Sequence, residues 1–289
     1  MRQHRRILGL GSALIGLAIA GATSVSAATT TPGVATTAKP AGYSIVTATF
    51  DLPTGGQTAG FVACPIKKGV RTVPLSGGAL LDTGSLEANI NTSYPTSGGW
   101  EVFANNASGA DSTFIVYAVC VTKPKGYVQQ QSASVANPAD SQNGAGYKCP
   151  NGDELMGGGT ESSSRSTLVN LNSSWPAGTS IWYMYMNNSS SADATVTLYR
   201  VCAKLNVSKT HYQLATSSTI TNPAFTETAI SVACPSGLST ISGGLLVGAG
   251  GGLGVTLNSS FPLTGGWEGD ENNATASSAP LTAYALCAS

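Results

Sequence analysis

The sequence predicts an all-β protein of three tandem sandwich-like repeats, each closed by one internal disulfide. Three observations carry that prediction. A set of landmarks recurs three times in one order, six cysteines fall two to a repeat, and Gly, Pro or Asn interrupt the chain about every eight to twelve residues. Charged residues make up only 10% of the 289, against about 25% in an average domain. That balance disfavours a coiled coil or a highly charged disordered chain.

The N-terminus reads as an export signal. Arg2, Arg5 and Arg6 precede an apolar run from Ile7 to Ala20, and Val25-Ser26-Ala27 forms a small-residue cleavage site. The run is too short and too glycine-rich for a membrane span, which takes about 20 apolar residues. Residues 1–27 are therefore assigned to a signal peptide and 28–41 to a Thr/Ala/Pro linker, giving a secreted protein. Removing the three arginines leaves 11 basic against 14 acidic side chains, a net of −3. A mildly acidic chain has no basic field for gathering phosphates, so nucleic acid is not an expected partner.

The repeats occupy residues 42–124, 125–208 and 209–289, opening at Tyr43, Tyr127 and Tyr212. Eleven residues after Pro53, Pro138 and Pro223 stand Cys64-Pro65, Cys149-Pro150 and Cys234-Pro235. A glycine pair follows at Gly77-Gly78, Gly157-Gly158 and Gly243-Gly244, then Asn-x-Ser-aromatic-Pro from Asn91, Asn172 and Asn258. Next come Trp100, Trp182 and Trp267, then Asn105, Asn187 and Asn272. Each repeat closes on Tyr-x-x-Cys, and the Trp-to-Cys spacing is 20 in all three.

The strands follow from residue type. Ser112–Val121 and Ala194–Cys202 are rich in β-branched and aromatic residues, while Ser44–Phe50 and Thr216–Thr221 alternate small polar with apolar residues. About six strands per repeat suffice for a small self-contained unit. A closed pseudo-threefold β-prism is the alternative. The repeat also selects one cysteine pairing from the 15 available to six cysteines: Cys64–Cys120, Cys149–Cys202 and Cys234–Cys287. Such bonds persist in an exported protein. Zinc is disfavoured because no C-x-x-C occurs and His211 is the only histidine beyond the signal. No metal or other cofactor is expected.

The string Cys-Pro, Gly-Gly, Ser-aromatic-Pro, Gly-Trp, Asn, Tyr-Ala-x-Cys resembles a disulfide-stapled β module of secreted actinobacterial proteins. The third copy matches best. The first has four extra residues between Cys64 and Gly77, and the second reads Thr179-Ser180-Ile181-Trp182 in place of Gly-Gly-Trp. The resemblance implies an extracellular β module and brings no established activity to particular residues.

Enzyme chemistry finds little support. Asp82-Thr83-Gly84 resembles an aspartic-protease loop, but that chemistry needs two carboxylates sharing a proton. No second Asp-Thr-Gly occurs at the related stretches around Glu161 and Gly248, so Asp82 reads as a turn residue. A lone His211 leaves no material for a Ser-His-Asp or Cys-His arrangement, and no G-x-S-x-G, P-loop or dinucleotide fingerprint is present. Asp153-Glu154 and Asp270-Glu271 read as acidic pairs in solvated turns. Asn91, Asn172, Asn206 and Asn258 begin Asn-x-Ser/Thr triplets that also read as turns.

The aromatic residues are the better lead. Trp100, Trp182 and Trp267 hold one repeated place, which favours a core role. The second repeat alone continues Tyr183-Met184-Tyr185-Met186. With a period of two, both tyrosines point away from the face of Trp182 and form a platform suited to a sugar or a protein surface. The expected function is therefore a non-enzymatic surface or matrix protein that binds an extracellular glycan or surface protein through Tyr183 and Tyr185. A structural coat or spacer is the alternative, and a secreted aspartic-type hydrolase the third reading.

Overall fold

A computed structural model describes residues 39–204, 211–248 and 252–289. The expected signal peptide, most of the expected linker and Asn206 lie outside the described residues. Among the described residues every regular element is a strand. No helix there is long and apolar enough to cross a membrane.

Repeat 1 contributes β1 (Ser44–Leu52), β2 (Gly56–Ala63), a short β3 (Ile66–Lys67), β4 (Val70–Leu81), β5 (Ala88–Pro95), β6 (Gly99–Asn106) and β7 (Ser112–Thr122). Repeat 2 contributes β8 (Val128–Gln131), β9 (Val135–Asn137), β10 (Ser141–Lys148), β11 (Glu154–Ser162), β12 (Val169–Pro176), β13 (Ile181–Asn188) and β14 (Ala194–Ala203). Repeat 3 contributes β15 (Tyr212–Thr216), β16 (Ile220–Asn222), β17 (Thr226–Ala233), β18 (Ser239–Val247), β19 (Val255–Leu263), β20 (Gly266–Asn273) and β21 (Ala279–Ala288). The pairs β8/β9 and β15/β16 stand where β1 stands, so each repeat fills six strand positions. The four extra residues of repeat 1 form the β3 hairpin, where Ile66 pairs with Arg71.

The all-β class, the three repeats and one disulfide in each are as the sequence predicts. All six cysteines are paired in the expected way. The repeats do not stand as separate sandwiches, however. Each of the three antiparallel sheets takes half its strands from one repeat and half from the next: β1-β7-β4-β19-β20-β17, β10-β13-β12-β18-β21-β15 and β2-β6-β5-β11-β14-β8. That is the closed threefold arrangement. The seams lie at β5/β11, β12/β18 and β19/β4, so repeat 1 clasps 2, 2 clasps 3, and 3 clasps 1. Each disulfide joins the two sheets that its repeat spans.

The seams explain the motif. Each backbone seam ladder is short, with one paired position: Thr160 with Ser93, Leu245 with Ser174, Ala79 with Ser260. Side chains extend it. Asn91, Asn172 and Asn258 sit at β-bulges, where the ladder register slips by one residue. Their side-chain amides donate to the next repeat, at Val169 O, Val255 O and Ala88 O. The neighbouring hydroxyls of Thr92, Ser173 and Ser259 accept from the next repeat's Ser162, Val247 and Leu81 N–H. The Asn-x-Ser triplets are thus buried bulges rather than the turns expected, because a bulge needs a side chain to satisfy what the ladder leaves unpaired.

The glycine pair is a close-approach device. A Cβ on Gly78, Gly159 or Gly244 would stand 1.8, 2.4 or 1.9 Å from the neighbouring repeat's Ser260, Ser93 or Ser174 carbonyl oxygen. A Cβ on Gly77, Gly158 or Gly243 would strike the ring of Trp100, Trp182 or Trp267. The pair in repeat 2 is therefore Gly158-Gly159, one residue beyond the expected position, because Gly157 occupies the place of Ser76 and Ser242. The three tryptophans are 1 to 3% exposed, and each indole N–H donates to Ser93, Ser174 or Ser260. At one end, Tyr43, Tyr127 and Tyr212 each donate to a carbonyl of another repeat: Thr240, Pro74 and Leu155.

Candidate functional site

The sheet shared by repeats 2 and 3 presents Tyr183 and Tyr185 on its outer face. Their neighbours Trp182, Met184 and Met186 are buried, so the period-two assignment of faces holds. Both tyrosines are half-buried. Opposite them on the edge strand lie Gly146 and Gly144. A Cβ at either glycine would come within 2.6 Å of the facing ring. Each ring therefore packs over a glycine, as aromatic residues do when they cover edge glycines, and the two ring planes are inclined by 58°.

A third ring completes the cluster, one that the sequence reading treated only as a repeat landmark. Trp175, the aromatic residue of the second Asn-x-Ser-aromatic-Pro, is directly opposite Tyr183. Its ring centroid lies 5.1 Å from that of Tyr183 and 5.8 Å from that of Tyr185, and the tyrosines are 5.6 Å apart. Trp175 is 7% exposed and serves as a prop that fixes the two tyrosines. Its signal in the sequence is that repeats 1 and 3 carry Tyr94 and Phe261 there.

The equivalent faces differ in charge. The positions of Tyr183 and Tyr185 are Glu101 and Phe103 in repeat 1 and Glu268 and Asp270 in repeat 3. Between repeats 1 and 2, the tilted rings of Tyr94 and Tyr199 lie 4.9 Å apart and their hydroxyls donate to Glu101 and Glu161, each at 2.6 Å. Burial first, then those carboxylates, drives both phenols well above their ordinary range. Tyr117 stacks on Phe261 at 5.2 Å on the third face, beside Glu268 and Asp270. The Tyr183/Tyr185 face carries partly buried rings with no carboxylate beside them, and the charge nearest along the edge strand is Lys148, two residues on from Gly146.

An open concavity of about 430 Å³ lies elsewhere, lined by Gln129, Gln130, Gln131, Tyr147 and Tyr199. Its aromatic faces are occupied. Arg200 covers Tyr147 at 4.0 Å, and Tyr199 is committed to Tyr94 and Glu161.

Asp82 is exposed in the turn after β4, where its N–H donates to Thr113 O and its carbonyl accepts from Ser112. The threefold places Ser163 and Gly248 at the matching positions, so it brings no second carboxylate to Asp82. The Asp270-Glu271 pair is not a solvated turn. Both residues lie in β20, and Glu271 is fully buried on the face of Trp267. The reason is periodicity: four residues on from an inward tryptophan, a strand side chain points inward again. Asp153 does lie in a turn, its N–H donating to Pro150 O, while Glu154 opens β11. Among the described residues no three His, Cys, Asp or Glu side chains are grouped to hold a metal ion. No protein-family model matches the chain, and no curated protein matches it.

Proposed function

We propose that the protein is an exported, non-enzymatic binding component of an extracellular surface or matrix, and that its ligand is a neutral glycan laid across Tyr183 and Tyr185. The observation that supports this reading is the ring pair propped by Trp175 on the one outer face with no carboxylate beside its rings. Sugar rings present C–H surfaces that pack on aromatic faces, and a pair of rings fixed by a buried tryptophan loses little entropy on binding. The carboxylates on the other two faces disfavour acidic polysaccharides there. Three disulfides fit an oxidising compartment.

The test is capture of the mature protein on insoluble neutral polysaccharides and on an array of soluble oligosaccharides, beside a Tyr183→Ser/Tyr185→Ser variant. The native protein is expected to bind and the double variant to lose binding while keeping its circular dichroism. Equal binding by both would exclude the platform. Failure of the native protein to bind any glycan would instead favour the coat or spacer role.

A further inference from the structure

In repeats 1 and 2 the asparagine that reaches across the seam is itself held by a glutamine on the adjacent strand. Gln57 Nε2 donates to Asn105 Oδ1 at 2.8 Å, and Gln142 Nε2 to Asn187 Oδ1 at 2.7 Å. Both pairs stand directly opposite in register. The third pair does too, but here Glu227 faces Asn272. A carboxylate has no hydrogen to give. Asn272 Oδ1 and Glu227 Oε2 are accordingly both buried without a hydrogen-bond partner.

Asn272 cannot resolve this by turning its amide over. Its Nδ2 donates to Ser85 O, Ala88 O and Asn89 Oδ1, all in repeat 1. Asn105 and Asn187 hold the same orientation toward Val169 O and Val255 O. A flip would forfeit all three of those bonds and turn the Asn272 Oδ1 against three acceptor oxygens to satisfy one.

We propose that Glu227 is a proton-operated latch on the seam between repeats 3 and 1. Protonated, its hydroxyl donates to Asn272 Oδ1 and completes the clasp that glutamine makes permanently in the other repeats. Ionised, it sets two acceptors face to face and loosens Asn272. The location matters because the linkers join repeat 1 to 2 and 2 to 3, whereas repeats 3 and 1 are held by the β19/β4 seam and side-chain bonds such as Tyr43 to Thr240 O, with no linker between them.

The surroundings favour the proton. On β17 Glu227 is the only charged residue, β20 carries Glu268, Asp270 and Glu271, and β15, β16 and β21 carry none. The turn after β4 brings Gly84 near Glu227 and adds Asp82 and Glu87. None of these segments supplies a cation. Burial first, then Asp270, pushes the Glu227 carboxyl up from 4.5 to about 7. An acid whose folded value is raised binds its proton more tightly when the latch is shut. The seam is therefore tightest below about pH 4.5, loosens as pH rises toward about 7, and levels off above that.

Hydrogen exchange on the full chain, corrected for the intrinsic effect of pH, tests this with an internal control. The seam amides of Leu81, Ser162 and Val247 are equivalent. Leu81 is expected to lose protection about tenfold between pH 4.5 and 8, the equivalent of one pH unit of linkage, while Ser162 and Val247 hold theirs. Glu227→Gln should make Leu81 behave like the other two, and Glu271→Met should leave its response in place. The latch is excluded if Leu81 tracks Ser162 and Val247 in the native protein, or if its response survives Glu227→Gln. Should that variant not fold, NMR titration of the native protein decides. The Glu227 carboxyl and the Asn272 side-chain amide must then shift with one midpoint near 7, and separate midpoints overturn the proposal.

Discussion

Glu271 offers a quantitative check on the register of the core. It occupies the inward position that Ala104 fills in repeat 1 and Met186 in repeat 2, with no exposed surface. Asn222 Nδ2 donates to its Oε1 at 3.1 Å, and its Oε2 has no partner. Burial raises the carboxyl from 4.5 to about 7, with the Asn222 bond opposing. The folded state therefore holds the proton over a range where the unfolded chain has lost it. Stability from this group is fully present below about pH 4.5 and is lost as pH rises through about 7. At about 1.4 kcal/mol per pH unit, the interval is worth about 3 kcal/mol. Replacing Glu271 by Met, the residue of repeat 2, removes that dependence at a pH-independent cost of about 1 kcal/mol for the Asn222 bond. Urea unfolding of native and variant protein from pH 4.5 to 8.5 should show the variant gaining about 3 kcal/mol relative to the native chain across that range. Contributions from Glu227 and Asp270 are common to both proteins and cancel in the difference. A stability difference that does not change with pH would refute the inward placement of Glu271.

Other consequences of the architecture are open to direct measurement. Replacing Cys64 and Cys120 together by Ser opens a loop with a sequence separation of 56, and the chain-entropy argument puts the loss near 4 kcal/mol in urea unfolding. Gly244→Ala drives a methyl into the Ser174 carbonyl and should cost about 1–3 kcal/mol. Gly109→Ala, with nothing within 4 Å, should change stability little, and equal effects would discredit the close approach at the seam. A single repeat such as residues 125–208 exposes two half-sheets and should give a collapsed, poorly dispersed NMR spectrum at low concentration. A dispersed monomeric spectrum would show that the repeats need not share sheets.

Much of this was legible in the amino-acid order. The cysteine pairing follows from the repeat, and the outward placement of Tyr183 and Tyr185 from counting in twos from Trp182. The same count from Trp267 places Glu271 inside. Reading Asp270-Glu271 by its charge rather than its distance from the tryptophan put it in a turn. Sheet sharing was harder to see, because a strand's alternation is the same whether its partner belongs to its own repeat or to the next. The trace it leaves is the second glycine of each pair, a position with no room for a side chain beside a foreign carbonyl. Trp175 was hidden by its motif, which explained why an aromatic residue stands there but not why the largest one does.

The half-and-half division of each sheet also has an assembly consequence. Every repeat offers one half-sheet and receives another through different surfaces, so the contact is head-to-tail and stops only because three steps close a circle. Nothing in the seam chemistry distinguishes a neighbour in the same chain from the matching repeat of a second molecule. Inside one chain, tethering keeps the effective concentration of the correct partner high. Once the 3–1 seam parts, its two edges become open ends, and at high protein concentration two opened chains can complete each other as a six-repeat ring or continue as a filament. Aggregation of this protein should then follow the fraction of molecules with that one junction parted, rather than the fraction globally unfolded.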